Sequence, residues 1–111
     1  MTDESQDLLK GTLDMLILQA LEKEPMHGWG VAERIETSSR AVFTLQTGTL
    51  YPSLHRLLRQ GHITAEWQTT ANNRRARYYR LTPGGRRRLE TARASWERAS
   101  VAINRILSAL S

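Results

Sequence analysis

QTGTLYPSLHRLLRQGHI, residues 46–63, decides how the remainder of this chain is read. Leu50, Leu54, Leu57 and Leu58 recur at i, i+4, i+7 and i+8, which makes one stripe of an amphipathic helix. Thr49, Ser53, His55, Arg56 and Arg59 occupy its other faces, so one side is built for a core and the other carries donors and positive charge. Pro52 has no N–H and would break an established helix, so the helix has to begin a few residues earlier, with Thr47 or Thr49 as N-cap. Gly61 ends it. Ile63, Ala65 and Trp67 then alternate with Thr64, Glu66 and Gln68 as in a half-buried strand, and a short basic turn leads to a second strand. Helix, glycine, strand, basic turn, strand is the layout of a recognition helix followed by a β-wing, and it points to double-stranded DNA.

The turn itself, TTANNRRAR at 69–77, supports that layout. Asn72 and Asn73 tolerate the positive φ that tight hairpin connections demand, and Arg74, Arg75 and Arg77 follow at once. Such a tip can lay guanidinium groups along phosphates or into a narrow minor groove. In the return strand Tyr79 and Leu81 share a face and should point inward, leaving Tyr78 and Arg80 outside.

Charge follows the same division. Residues 1–24 carry two basic against six acidic side chains, whereas residues 61–90 carry seven basic, all arginine, against two acidic. A net charge of +5 concentrated around the wing favours a polyanion at that end of the fold, and arginine suits bidentate phosphate and guanine contacts.

Upstream of the proposed recognition helix, Thr12 is a good N-cap for a helix over 12–24 whose core stripe is Leu13, Leu16, Ile17, Ala20 and Leu21. Residues 1–9 form an acidic lead-in, and Pro25 marks the end of the helix. Met15 and Leu18 lie off the stripe, so this helix is expected to touch a second chain as well as its own core. His27 precedes a short helix over 29–38, where it is expected to cap or contact phosphate rather than catalyse. Val42, Phe43 and Leu45 in the following connector are available to cover the core. Three helices in this order are those of a helix-turn-helix domain.

Downstream, Thr82 caps a last helix with Pro83 at its first position. Leu89, Ala92, Trp96, Ala99, Ile103, Ile106 and Leu110 are spaced 3, 4, 3, 4, 3, 4, a heptad seam. Either this helix folds back on its own core or the seam pairs two subunits. The first three helices and the sheet already fill one core, which favours a homodimer. The expected fold is mainly α with a small β-wing: a winged helix-turn-helix over 1–84 and a C-terminal dimerisation helix over 85–111.

Other classes find little support. One hundred and eleven residues hold one modest core. Without cysteine there is no disulfide framework or thiolate zinc site, and His27, His55 and His62 lack metal-ligand spacing. Neither a metal nor a cofactor is expected. No apolar run approaches the ~20 residues that span a bilayer, and the start MTDESQDLLKGTLD is acidic where a signal peptide is basic, so a cytoplasmic protein without a membrane partner is expected. GTLDM and TPGGRR lack the lysine and hydroxyl of a phosphate loop, and no paired carboxylates or thiol nucleophile suggest an enzyme.

LKGTLDMLILQALEKEPMHGWG at 9–30, GTLYPSLHRLLRQGHI at 48–63 and NNRRARYYRLTPGGRRRL at 72–89 together resemble the PadR family of bacterial winged-helix transcriptional regulators, over roughly residues 8–110. The resemblance implies a homodimer whose C-terminal helix exchanges across the two-fold axis against the first helix. It also implies repression at pseudo-palindromic promoter sites. Trp29 stands where the family commonly has tyrosine. In that frame Thr47, Thr49, Tyr51 and the helix N-terminus are expected on phosphates, and Ser53, His55 and above all Arg56 on base edges. Arg59, Asn73, Arg74, Arg75 and Arg77 complete the expected DNA set. The dimer set is Met15, Leu18, Leu89, Ala92, Trp96, Ala99, Ile103, Ile106 and Leu110. Some short members of that family bind planar aromatic compounds between subunits, so Trp96 is a candidate contact for a hydrophobic or aromatic effector. A ligand sensor or a protein-only adaptor without its own operator is the alternative reading.

Overall fold

The structure, a computed structural model, describes residues 4–111, with side chains from residue 8 onward except at 10 and 11. The elements are α1 (Glu4–Ala20), β1 (Met26–His27), α2 (Gly28–Ser38), α3 (Thr47–Arg59), β2 (Ile63–Thr69), β3 (Arg75–Leu81) and α4 (Pro83–Ala109). The three strands form one antiparallel sheet in the order β1-β3-β2.

The core is aliphatic. Leu50, Leu54 and Leu57 of α3 meet Leu13, Ile17, Leu18 and Leu21 of the first helical region, Val31 and Ile35 of α2, Ile63 and Tyr79 of the sheet, and Leu89 of α4. Phe43 and Leu45 close it from the connector, while Val42 remains in solvent. The expected stripe of α3 is thus the side that is buried, with Leu58 at its edge.

Several boundaries differ from expectation. Of the acidic lead-in expected over 1–9, residues 1–3 lie outside the described residues, and from Glu4 the chain is helical. Leu9 is buried, which gives this added turn a packing reason. Thr12 is therefore inside α1 and not at its cap: its hydroxyl donates to Leu8 O one turn back (2.8 Å). The helix also stops earlier, at Ala20, whose carbonyl accepts Arg34 Nη1 of α2 (2.9 Å). Neither Thr47 nor Thr49 caps α3. Gln46 holds that position, without a side-chain hydrogen bond to the helix. Gly61 does end the region, at φ +77°, a conformation that costs glycine little.

Helix α2 begins as expected of His27, whose Nδ1 accepts the Gly30 N–H (2.9 Å). It closes in a Schellman turn, with Arg40 N–H donating to Thr37 O (3.1 Å) and Ala41 N–H to Glu36 O (2.8 Å). Arg40 takes the left-handed position, at φ 52°, that glycine usually fills. Strand β1 was not legible in sequence, because two residues are too short for a period-2 pattern; it adds Met26 and His27 to the edge of β3 opposite Tyr79 and Tyr78.

Helix α4 starts as expected, with Thr82 Oγ1 accepting the Gly85 N–H (2.9 Å) and Pro83 in the first turn. Its first two turns belong to the core. Beyond Ala99 it leaves the body and exposes Val101, Ile103, Ile106, Leu107 and Leu110. The fold-back alternative therefore fails for this half of the helix.

Candidate nucleic-acid interface

The pairing of β2 with β3 sets Ile63 against Leu81, Ala65 against Tyr79, Trp67 against Arg77 and Thr69 against Arg75. Side chains alternate across a strand, so these residues share one face. Near the body that face is core. Tyr79 is buried there, and burial raises its hydroxyl above the ordinary tyrosine value, so it stays protonated and structural. Two residues further out the hairpin overhangs the body, and the same face turns aromatic and cationic.

Trp67 was expected to share the inward face of Ile63 and Ala65. The face is right but the burial is not: Trp67 is 60 % exposed, with the Arg75 guanidinium 5.4 Å from its ring centroid. The tip is fixed by Thr70 N–H donating to Arg74 O (2.7 Å) and Asn73 N–H donating to Thr70 O (3.0 Å). Of the two asparagines only Asn73 takes positive φ, at 60°. Arg74 and Arg75 are exposed and Arg77 is half-buried.

Opposite the wing stand the start of α2 and the outer face of α3. Trp29 is 69 % exposed and stacks on His27 at 5.7 Å, and Tyr78 meets His27 edge-on at 5.4 Å. Tyr51 lies across Gly28, where a Cβ would stand 2.9 Å from its hydroxyl, so the lack of a side chain at Gly28 lets α3 approach α2. The concavity between these elements is lined by His27, Trp29, Tyr51, His55, Trp67 and the arginines Arg74, Arg75 and Arg77, with no carboxylate among its described lining residues. Thr47 and Thr49, at the start of α3, are exposed, and the helix has no acidic residue in its first turn. Its N-terminal N–H groups and dipole are therefore available to an anion. Arg59 is exposed one turn beyond His55.

Two expected base readers are elsewhere. Ser53 is buried, and its hydroxyl donates to Thr49 O (3.4 Å). Arg56 points away from the wing: Nη2 and Nε donate to the two carboxylate oxygens of Asp14 on α1 (2.6 and 3.2 Å), and Nη2 also donates to Ser53 Oγ (3.2 Å). Hydrogen bonding to Asp14, then its charge, pushes the guanidinium above its ordinary value, against a smaller desolvation effect. Both side chains are more than a third exposed, so the pair stabilises by about 1 kcal/mol or less. His55 is left as the base-edge candidate of the three. Trp29, Trp67 and Asn72 were missed as lining residues; the two indoles were visible in sequence, but not that the hairpin carries one of them beyond the core.

The expected dimer set also divides. Leu18 and Leu89 are 1 % and 0 % exposed within the single chain, so their surface is already covered by their own core. Met15 and Ala92 are half-buried. Trp96 at 44 % exposure, Ala99, Ile103, Ile106 and Leu110 remain open. Asp14, Met15, Arg56, Arg88, Ala92 and Trp96 line a cavity of about 430 Å³ between α1, α3 and α4.

Among the described residues no helix is long and apolar enough to cross a membrane, and no group of three acidic or imidazole side chains is placed to hold a metal ion. The transcriptional regulator Rv3488 of Mycobacterium tuberculosis is 32 % identical over 92 residues, 83 % of this chain and 82 % of that protein. A PadR-like transcriptional regulator from Bacillus cereus superposes with a TM-score of 0.80 at 25 % identity, covering 91 % of this chain and 96 % of its own. A PadR family transcriptional regulator from Eggerthella lenta does so with a TM-score of 0.79 at 30 % identity, covering 92 % and 87 %. The profile of the Transcriptional regulator PadR-like family matches residues 17–91. With that match over most of its length and a winged-helix architecture to go with it, the chain belongs to the PadR-like family of transcriptional regulators.

Proposed function

We propose that this regulator is a homodimeric, sequence-specific DNA-binding repressor acting in the cytoplasm on a pseudo-palindromic promoter site. The observation that carries the reading is the concave face, free of carboxylates among its described lining residues, on which the exposed side of α3 and three wing arginines converge. Two copies of α3 enter successive major grooves about 34 Å apart, and the wings grip flanking backbone or minor groove. Thr47, Thr49, Tyr51 and the α3 N-terminus set the register on phosphates, and His55 reaches base edges.

The test is binding to the DNA upstream of the protein's own gene against unrelated DNA of equal length, across a salt series. The native protein is expected to hold its own promoter at salt concentrations that release the unrelated duplex. Replacing Arg74, Arg75 and Arg77 together by alanine is expected to weaken both DNAs and to flatten the salt slope by about one unit for each phosphate no longer neutralised, up to about three. Retention unaffected by this triple substitution sinks the reading and favours a protein-only adaptor.

A second reading adds release by a small molecule, and the cavity beside Trp96 favours it. It joins the dimerisation helix to Arg56 on the back of α3, so an occupant there would bear on the recognition helix directly. Titration with flat hydrophobic compounds is expected to quench the emission that Trp96→Phe removes and to lower affinity for the promoter. Quenching without loss of DNA binding separates ligand binding from regulation.

A further inference from the structure

The wing carries an arrangement that DNA binding by charge alone does not require. Trp67 and Arg75 are diagonal neighbours on one face of the β2–β3 ladder, close enough for long side chains to meet. Their contact places the guanidinium over the indole at 5.4 Å. Tryptophan is the aromatic that attracts a cation best. Among the described residues the ion pairs engage Arg34, Arg56, Arg86 and Arg93, and Arg75 has no carboxylate partner. Its ring contact is therefore with a large apolar side chain left 60 % exposed on a hairpin tip, where a threonine or lysine would be the soluble choice. Nothing in the core of this chain calls for an indole at that position.

The chemistry of the pair suggests what it is for. A guanidinium held over an indole by cation–π attraction meets part of its surface with the ring in place of water and gives up part of its rotamer freedom, while its N–H groups stay free to donate. Entry into a narrow minor groove demands both of those losses from an unpaired arginine at the moment of binding. A·T-rich steps narrow that groove and deepen its negative potential, whereas G·C steps do neither and place an amino group on its floor. Arg74, next to it, is exposed and makes no ring contact among the described residues, which suits it to mobile phosphate contacts.

We propose that Trp67 is a positioning residue that holds Arg75 ready for a narrow minor groove, so that the wing selects A·T-rich sequence flanking the site read by α3. This rests on the DNA-binding reading given above. It assigns to the wing a share of sequence specificity and assigns that share to one cation–π pair.

The experiment compares two duplexes that keep the protein's footprinted upstream site and differ only in the wing-facing flanks, one A·T-rich and one G·C-rich. Native protein is expected to prefer the A·T flanks by about tenfold, equivalent to about 1.4 kcal/mol. Trp67→Leu and Arg75→Lys are each expected to reduce that preference to about twofold or less while leaving the salt slope as it was, because both keep the positive charge on the wing. The double variant should be no worse than either single one, since each removes the same contact. Trp67→Phe should restore most of the preference. A purely structural Trp67 would instead weaken both duplexes equally and lower the thermal midpoint, and that pattern overturns the proposal. So does a native protein indifferent to its flanks. Failure of the DNA reading looks different: the triple arginine variant then binds as the native protein does, whatever Trp67 contributes.

Discussion

Glutamate at both Ile103 and Ile106 is expected to leave the protein monomeric at micromolar concentration and to lower its affinity for a two-half-site duplex by at least about 100-fold. Both residues are more than half exposed on the part of α4 that has left the body, alongside Val101, Leu107 and Leu110. Fully burying a side chain of this size contributes about 1.5–3 kcal/mol, so several isoleucines and leucines on each of two helices form the chief apolar surface available to hold a dimer. In a two-fold interface each substitution appears twice, and the pair would bring four unpaired carboxylates to the seam, each costing several kcal/mol to desolvate. The effect on DNA follows from geometry rather than from contact. A dimer that has bound one half-site presents the second α3 at an effective concentration of about millimolar, and loss of that linkage removes a factor of about 10² to 10⁴. The readouts are molar mass in solution and promoter binding, with far-ultraviolet circular dichroism to show that the body is intact. That control is informative because neither isoleucine belongs to the core of the single chain. A variant that stays dimeric places the interface elsewhere; one that turns monomeric yet binds equally well removes the need for a dimer.

How far the sequence could be read depended on the range over which each feature is decided. The Leu50, Leu54, Leu57 stripe, the Thr82 cap and the turn at Asn73 are settled within one or two turns of chain, and all three are where the local pattern puts them. The direction of Arg56 is not legible in sequence because what decides it is Asp14, forty-two positions away on another helix, where no periodicity connects the two. Trp67 shows the complementary failure. Alternation assigned its face correctly, but whether a face is buried depends on what lies opposite, and beyond Ala65 and Tyr79 the body gives way to solvent. Leu18 is the converse case. A helix apolar on more than one side does have more than one partner, but for Leu18 those partners are in its own chain, because α1 is flanked by α2, α3 and α4 together.

The alanine variants of two adjacent glycines should separate by several kcal/mol although the substitutions are chemically identical. Thr82, the cap of α4, is tied to the turn that follows α3. Thr82 Oγ1 donates to Gly61 O (2.7 Å), and Thr82 N–H donates to His62 O (3.1 Å). Gly85 is buried against this turn, and a Cβ built on it would run into the His62 carbonyl oxygen and come within 2.9 Å of Leu81 Cδ1. The obstacle is peptide backbone already held by Thr82, which cannot swing aside as a side-chain end can. Gly85→Ala is therefore expected to destabilise the protein by about 3 kcal/mol or more, because overpacking of this kind outweighs the ~1 kcal/mol that alanine gains over glycine in a helix. At Gly84 the nearest atoms to an added Cβ lie at 3.7–3.8 Å, ordinary contact, so Gly84→Ala is expected to be neutral or to stabilise by up to about 1 kcal/mol. Urea midpoints measured at one fixed protein concentration compare them without interference from dimerisation. Equal midpoints would mean that α4 can shift on the turn at no cost. The half-site spacing would then be unfixed as well, because the first turn of α4 is where the proposed dimer seam is tied to the recognition helix. Only a rigid joint there would set the distance between the two half-sites that the proposed dimer reads.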